Sequence, residues 1–277
     1  MTLPAALDTL IRDDFAQVDE VIRKYMNQDV VLIRHAVELI IDSGEFRIRP
    51  ALTLLTAGAL GYAGPHRHAL AAAIELIHGS LVLHHAVDEL AGGAAAASEN
   101  ASLLGNAGNI LLGDLLYTGA FRIIVDIGDM RLMQVLSDAT TMIAEGEVMH
   151  LTEPASPEQD LARHIAILRA RSAKLFEAAS QCAAIIAAAS LAVEQMLAAY
   201  GLHLGSAYQV WREPAGPVSG AAEKLAGEES ALASAAIAPL AESPYKSALL
   251  QCAAWAGQHA PAAAPVTTRA SSTLALH

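Results

Sequence analysis

The chain has 277 residues, 54% of them hydrophobic and 4% aromatic, with a formal net charge of −12. That is enough apolar material for a sizeable core and excludes a disordered chain. The acid excess, with no long Lys/Arg run, argues against nucleic acid or an anionic membrane surface as a partner. Much of the apolar count is alanine, which favours helices packed closely through Ala, Leu, Ile and Val. Cys182 and Cys252 lie in apolar helical stretches and read as reduced, buried thiols of a cytoplasmic protein. Residues 1–12 lack the basic-then-apolar order of a signal peptide. Residues 178–193 are apolar but short and carry Ser180, Gln181 and Ser190, so a core helix is expected and no transmembrane segment.

Residues 3–26 have helical periodicity, with Leu7, Leu10, Ile11, Phe15, Val18 and Ile22 on one side and Asp8, Asp13, Asp14 and Asp19 largely on the other. Residues 30–41 form a second helix, stopped by Asp42-Ser43-Gly44. Arg47-Ile48-Arg49-Pro50 introduces a third over residues 51–60, with Pro50 at its first position. Residues 67–87 read as the long core helix that organises the chain, and its last turn gathers His84, His85, Asp88 and Glu89. Residues 91–97 read as a loop. Helices follow over 105–125, 132–150, 161–189 and 191–210, with connections at 152–160 and 213–217. The pattern then weakens into two short Ala-rich helices at 221–241 and 247–257. One helical domain over 1–258 is expected, shortened and degenerate over 221–258, with a disordered tail at 259–277. No period-two run of useful length occurs, so the fold class is all-α.

Several short motifs resemble those of the trans-polyprenyl diphosphate synthases, the octaprenyl type most closely. They are the organising helix, Arg47-Ile48-Arg49-Pro50, Gly105-Asn106-Ala107, Gly113-Asp114-Leu115-Leu116-Tyr117-Thr118, Ile143-Ala144-Glu145-Gly146-Glu147, and Lys174-Leu175-Phe176-Glu177 with Gln181-Cys182. The resemblance runs from about residue 3 to 209. It implies an isoprenoid-synthase-type helical bundle around a central apolar cavity, and a link to isoprenoid (quinone side-chain) biosynthesis. In that family an allylic diphosphate ionises and isopentenyl diphosphate attacks the carbocation. Two aspartate-rich motifs hold Mg²⁺ against the leaving diphosphate, because hard carboxylate oxygens at i and i+3 or i+4 share a helix face.

Here the first motif's leading aspartate pair falls on His85 and Ala86, and Asp88 matches its last aspartate. The arginine pair that follows in the family falls among residues 92–95, which contain none. At the second motif Gln209 matches the preceding Gln, but the next acidic positions read Arg212 and Glu213, and Pro214 breaks the helix. The isopentenyl diphosphate motif Gly-Lys-x-x-Arg reads Glu45-Phe46-Arg47-Ile48-Arg49. Arg49 and His78 keep two of its binding residues, and Arg171-Ser172 stands for the Lys-Thr that contacts allylic diphosphate.

Blander readings stand beside these. Arg47 and Arg49 can equally pair with acidic neighbours, and His78 can equally be a hydrogen-bonded core histidine. His84 with Asp88, at i and i+4, or His85 with Asp88, at i and i+3, has helical spacing for a transition metal such as Zn²⁺, but no third ligand is evident for either pair, which favours a structural role. Glu145 and Glu147, two residues apart, do not share a helix face and read as solvated or structural. The resemblance with lost motifs implies a catalytically silent homologue, no bound cofactor, and a homodimer or a heterodimer with a competent synthase. Isoprenoid diphosphate is a further possible ligand. The alternatives are an active prenyltransferase with an altered diphosphate site, a non-catalytic isoprenoid or lipid binder, or a decaying gene.

Overall fold

The computed structural model describes residues 5–26, 29–42, 47–91, 99–152, 166–212 and 219–258. Among these residues there are ten α-helices and no strand. They are α1 Ala5–Tyr25, α2 Val31–Asp42, α3 Ile48–Ala59, α4 His66–Ala91, α5 Glu99–Ile127 and α6 Met130–Thr152, then α7 Lys174–Ile186, α8 Leu191–Arg212, α9 Ser219–Ala236 and α10 Pro244–Gly257. A π turn, Arg169–Ala173, leads directly into α7. The expected loop at 91–97 and tail at 259–277 lie outside the described residues, apart from Ala91, which ends α4.

α4 and α7 are the inner helices. α4 packs on α1, α3, α5 and α7, and α7 packs on α3, α6 and α8. On α4, Leu70, Ala71, Ala72, Ala73, Ile74, Leu76 and Ile77 are all fully buried. A helix enclosed on most sides in this way needs apolar residues around its girth, not in one stripe. By length and composition its stretch His66–Val87 would also suffice to cross a bilayer, and half of that stretch is buried inside the bundle. Each fully buried Leu or Ile contributes about 1.5–3 kcal/mol of apolar transfer. The alanines of α4 and α7 add little each, but they let helix axes approach closely.

Two local features depart from the sequence-based expectation. α3 begins at Ile48, so Pro50 is its third residue, where the missing N–H has no intrahelical partner to lose. This places Arg49 inside the first helical turn. α5 starts before Gly105, and Gly105 itself breaks the helix with φ 62° and ψ 172°, a conformation that a side chain disfavours. The C-terminal third is well packed: Ala233, Ile237, Leu249, Cys252 and Ala253 are buried, and Tyr200 Oη donates to the Leu249 carbonyl at 2.8 Å. Ser243 caps α10 by accepting from Lys246 N at 3.0 Å, with Pro244 next to it. The buried Lys246 Nζ donates to the Ala238 and Leu240 carbonyls at 2.9 and 2.7 Å and so ties down the connection between α9 and α10.

Gly201 and Gly205 set the distance between α8 and α7. A Cβ at Gly201 would lie 2.4 Å from the Phe176 carbonyl oxygen, and one at Gly205 would lie 2.9 Å from Ala173 Cα. Backbone cannot swing aside as a side chain can. Gly201→Ala is therefore expected to lower stability by about 1–3 kcal/mol. Gly227→Ala, on an exposed part of α9 with nothing near its Cβ, is expected to raise stability by up to about 1 kcal/mol. Urea denaturation of the two variants beside the parent checks the contrast.

Candidate functional site

Residues 75, 78 and 85 of α4 follow helical spacing and line one face of the helix over about 15 Å. Two groups of cations meet this face. The first comes from the start of α3. Arg49 is 6% exposed; its Nη1 lies 3.0 Å from His78 Nε2, and its guanidinium sits 4.5 Å from the Phe176 ring centroid on α7. Stacking on an aromatic face suits a weakly hydrated guanidinium removed from water. Arg47, just before α3, pairs with Asp19 of α1, stands 4.8 Å from the Phe15 ring centroid, and has Nε 3.8 Å from Glu75 Oε1. Burial pushes the Glu75 carboxyl above its ordinary range, while the charges of Arg47 and Arg49 pull it down.

The second group lies at the far end of the same face, about 10 Å along the helix. Arg171 sits in the π turn, with its Nε 2.8 Å from Glu147 Oε1 on α6. His85 Nε2 lies 2.7 Å from the same oxygen. Glu147 is 19% exposed and His85 41%. Gly146 makes this approach possible: a Cβ there would come within 2.9 Å of Arg171 Cγ and 3.1 Å of its backbone nitrogen. The π turn also carries Ser172. Such turns insert a residue into the helical register and re-aim side chains.

His84 points elsewhere. Its Nε2 is 3.3 Å from Asp114 Oδ1 on α5, and Gly113 leaves the room it fills, since a Cβ there would lie 2.4 Å from His84 Nε2. The two adjacent histidines thus turn onto different helices, each toward a carboxylate. Among the described residues there is no group of three or more His, Cys, Asp or Glu that could hold a metal ion. The described residues do not fit a Mg²⁺ clamp, which needs several hard oxygens converging on one point. The side chains of Asp88 and Arg212 lie outside the described residues, as does Glu213 altogether. Gln209 is buried on α8.

The arrangement joins Arg49 to His78, brings Arg171 and His85 together on Glu147, and gives Arg47 to Asp19 and Glu75. Sequence reasoning missed Glu147 and Phe176 as partners of these cations. The signal for Glu147 was the glycine beside it, since a small residue in a helix marks close approach of another backbone. Phe176 stands in a quoted motif, but nothing local says that its ring lies under Arg49.

The all-α bundle is the fold of isoprenyl diphosphate synthases. Residues 30–211 match the family Polyprenyl synthetase, and the chain belongs to it. Octaprenyl diphosphate synthase of Escherichia coli is 37% identical over 205 residues, covering 74% of this chain and 63% of that protein. The chain thus spans less than two thirds of the length of the curated relatives of this kind that it matches. A polyprenyl synthase structure from Caulobacter crescentus, complexed with calcium and isoprenyl diphosphate, superposes with a TM-score of 0.82 at 26% identity, over 92% of this chain and 98% of that one. A more distant relative, 24% identical over 205 residues, is heptaprenyl diphosphate synthase component 2 of Geobacillus stearothermophilus, with 74% of this chain and 64% of that protein covered.

Burial raises the Glu147 carboxyl, but its contacts with His85 and Arg171 outweigh that, and it ends below the ordinary glutamate value. A carboxylate lowered in the folded state stabilises above its unfolded value, near 4.3, and loses that contribution as pH falls through the folded value. Urea titrations of the parent and Glu147→Gln from pH 6 to pH 3 are expected to show the parent's stability advantage shrinking toward acid.

Proposed function

We propose that this chain is a catalytically silent member of its family, keeping the helical cage and serving as a partner or regulatory subunit of a competent polyprenyl diphosphate synthase in the cytoplasm. One observation carries the reading: where the family has an aspartate pair to grip metal, this chain has His85 and Ala86. Ala86 is buried, and the His85 imidazole lies against Glu147. A histidine drawn to a carboxylate and a buried methyl group supply no oxygen to a Mg²⁺ ion, so the chain is expected to hold none by itself.

The partner part of the reading draws on an exposed apolar surface shared by α5 and α6. Ile110, Leu111 and Val125 are 44–70% exposed on α5, and Met142, Val148 and Met149 are 42–59% exposed on α6. A groove of about 720 Å³, lined by Tyr117, Thr141, Ala144, Val148 and Met149 among others, runs along the same two helices. Apolar side chains concentrated on two adjacent helices suit a helical face of like chemistry, which a second chain of this fold presents. That a relative carries the name of a numbered synthase component is in keeping with a multi-chain enzyme.

Arg49 with His78, and Arg171 with Ser172, favour a second reading, in which cationic donors clamp diphosphate and turnover survives without metal. The two readings separate in one experiment. The isolated chain, given an allylic diphosphate and isopentenyl diphosphate with and without Mg²⁺, is expected to form no prenyl product. Mixed with a competent synthase from the same cell, it is expected to co-elute on size exclusion and to change product length. Product from the isolated chain establishes the second reading; neither co-elution nor altered length removes the first.

A further inference from the structure

Glu147 holds a position that a solvated surface glutamate does not. It is largely removed from water, and a single oxygen, Oε1, stands 2.8 Å from Arg171 Nε and 2.7 Å from His85 Nε2. These two nitrogens come from different elements, the π turn before α7 and the end of α4. They converge where α6 is brought against the π turn by Gly146. Convergent nitrogens beside a partly exposed imidazole can hold an anion, and the anion between these two belongs to the protein. We propose that Glu147 is an internal plug, a carboxylate that stands in for an external diphosphate on Arg171 and His85, so that the site accepts diphosphate only when Glu147 withdraws.

The identity of residue 85 makes the plug possible. A carboxylate at that position would repel Glu147 at contact distance, whereas an imidazole attracts it. The exchange of an acceptor for a donor on α4 therefore converts a place able to gather cations into one that holds an anion. Ser172, beside Arg171, adds a hydroxyl to the same turn. Glu147 reaches the site through a flexible side chain, whereas the backbone that carries Arg171 is held close to α6 at Gly146. An incoming diphosphate brings more charge than one carboxylate, but it must displace a partner already tethered in place. The inference uses the chain's own cation geometry and does not depend on a partner subunit, so a failed co-elution leaves it standing.

The test is calorimetric titration of the full chain with inorganic pyrophosphate in the presence of EDTA. Glu147→Gln keeps the side-chain shape and removes the charge, and it is expected to bind pyrophosphate at least about tenfold more tightly than the parent, a difference of about 1.4 kcal/mol. Glu147→Asp, which keeps the charge but shortens the reach, is expected to fall between them and decides the matter if the glutamine variant does not fold. Adding Arg171→Gln to Glu147→Gln is expected to return affinity to the parental level or below. Equal or weaker binding by folded Glu147 variants overturns the proposal, as does an unchanged gain without Arg171 or the absence of measurable binding in every variant.

Discussion

Arg49 is held almost entirely out of water, and a guanidinium in that position needs acceptors or aromatic faces around it. Much of the surrounding structure follows from that requirement. α3 starts early enough to carry Arg49 in its first turn, with Pro50 tolerated behind it. α4 turns His78 toward it, and α7 lays the Phe176 ring beneath it. Phe176 in turn packs on Tyr208, with ring centroids 5.5 Å apart, and Tyr208 on Trp255 at 5.6 Å. One buried cation is thus supported by a row of rings that reaches the last described helix, which ties the C-terminal third of the fold to the site.

The remaining charges obey the same rule with different partners. Arg47 takes Asp19 and Glu75, Arg171 takes Glu147, and His84 faces Asp114. Each of these carboxylates comes from inside the chain. In a metal-gripping site, acidic residues are held together against their own repulsion until cations arrive. Here they are spread apart, each beside a nitrogen donor, so the arrangement is neutralised locally.

Two further buried glutamates are paired within the chain in the same way. Glu229 of α9, 3% exposed, receives Arg169 from the π turn and His203 from α8, and Glu194 of α8 receives Arg131 from α6 and Gln181 from α7. The π turn is consequently held from two sides: Arg169 toward α9, and Arg171 toward α6. Cys182 and Cys252, both free, lie deep in the apolar interior, where burial pushes their thiols up, Cys252 to about 12. They act as small apolar side chains.

The helices themselves, and most of the core, were legible in the amino-acid sequence, because periodicity and stop signals act over a few residues. Ile11, Val18 and Ile22 on α1 and the apolar run of α4 are buried as their spacing predicts. That His85 and Ala86 stand near the end of α4 was equally legible, since it is a statement about residue types. The early start of α3 and the break at Gly105 were not, because both depend on how the chain enters a packed helix. Nor were the partners of the charges. Asp19, assigned to the polar side of α1, meets Arg47, and Glu147, assigned to no particular partner, meets Arg171 from 24 residues away. Which residues are charged is a property of the chain; which charges touch is settled only when helices pack, because side chains distant in sequence share a dry interface and must neutralise one another there.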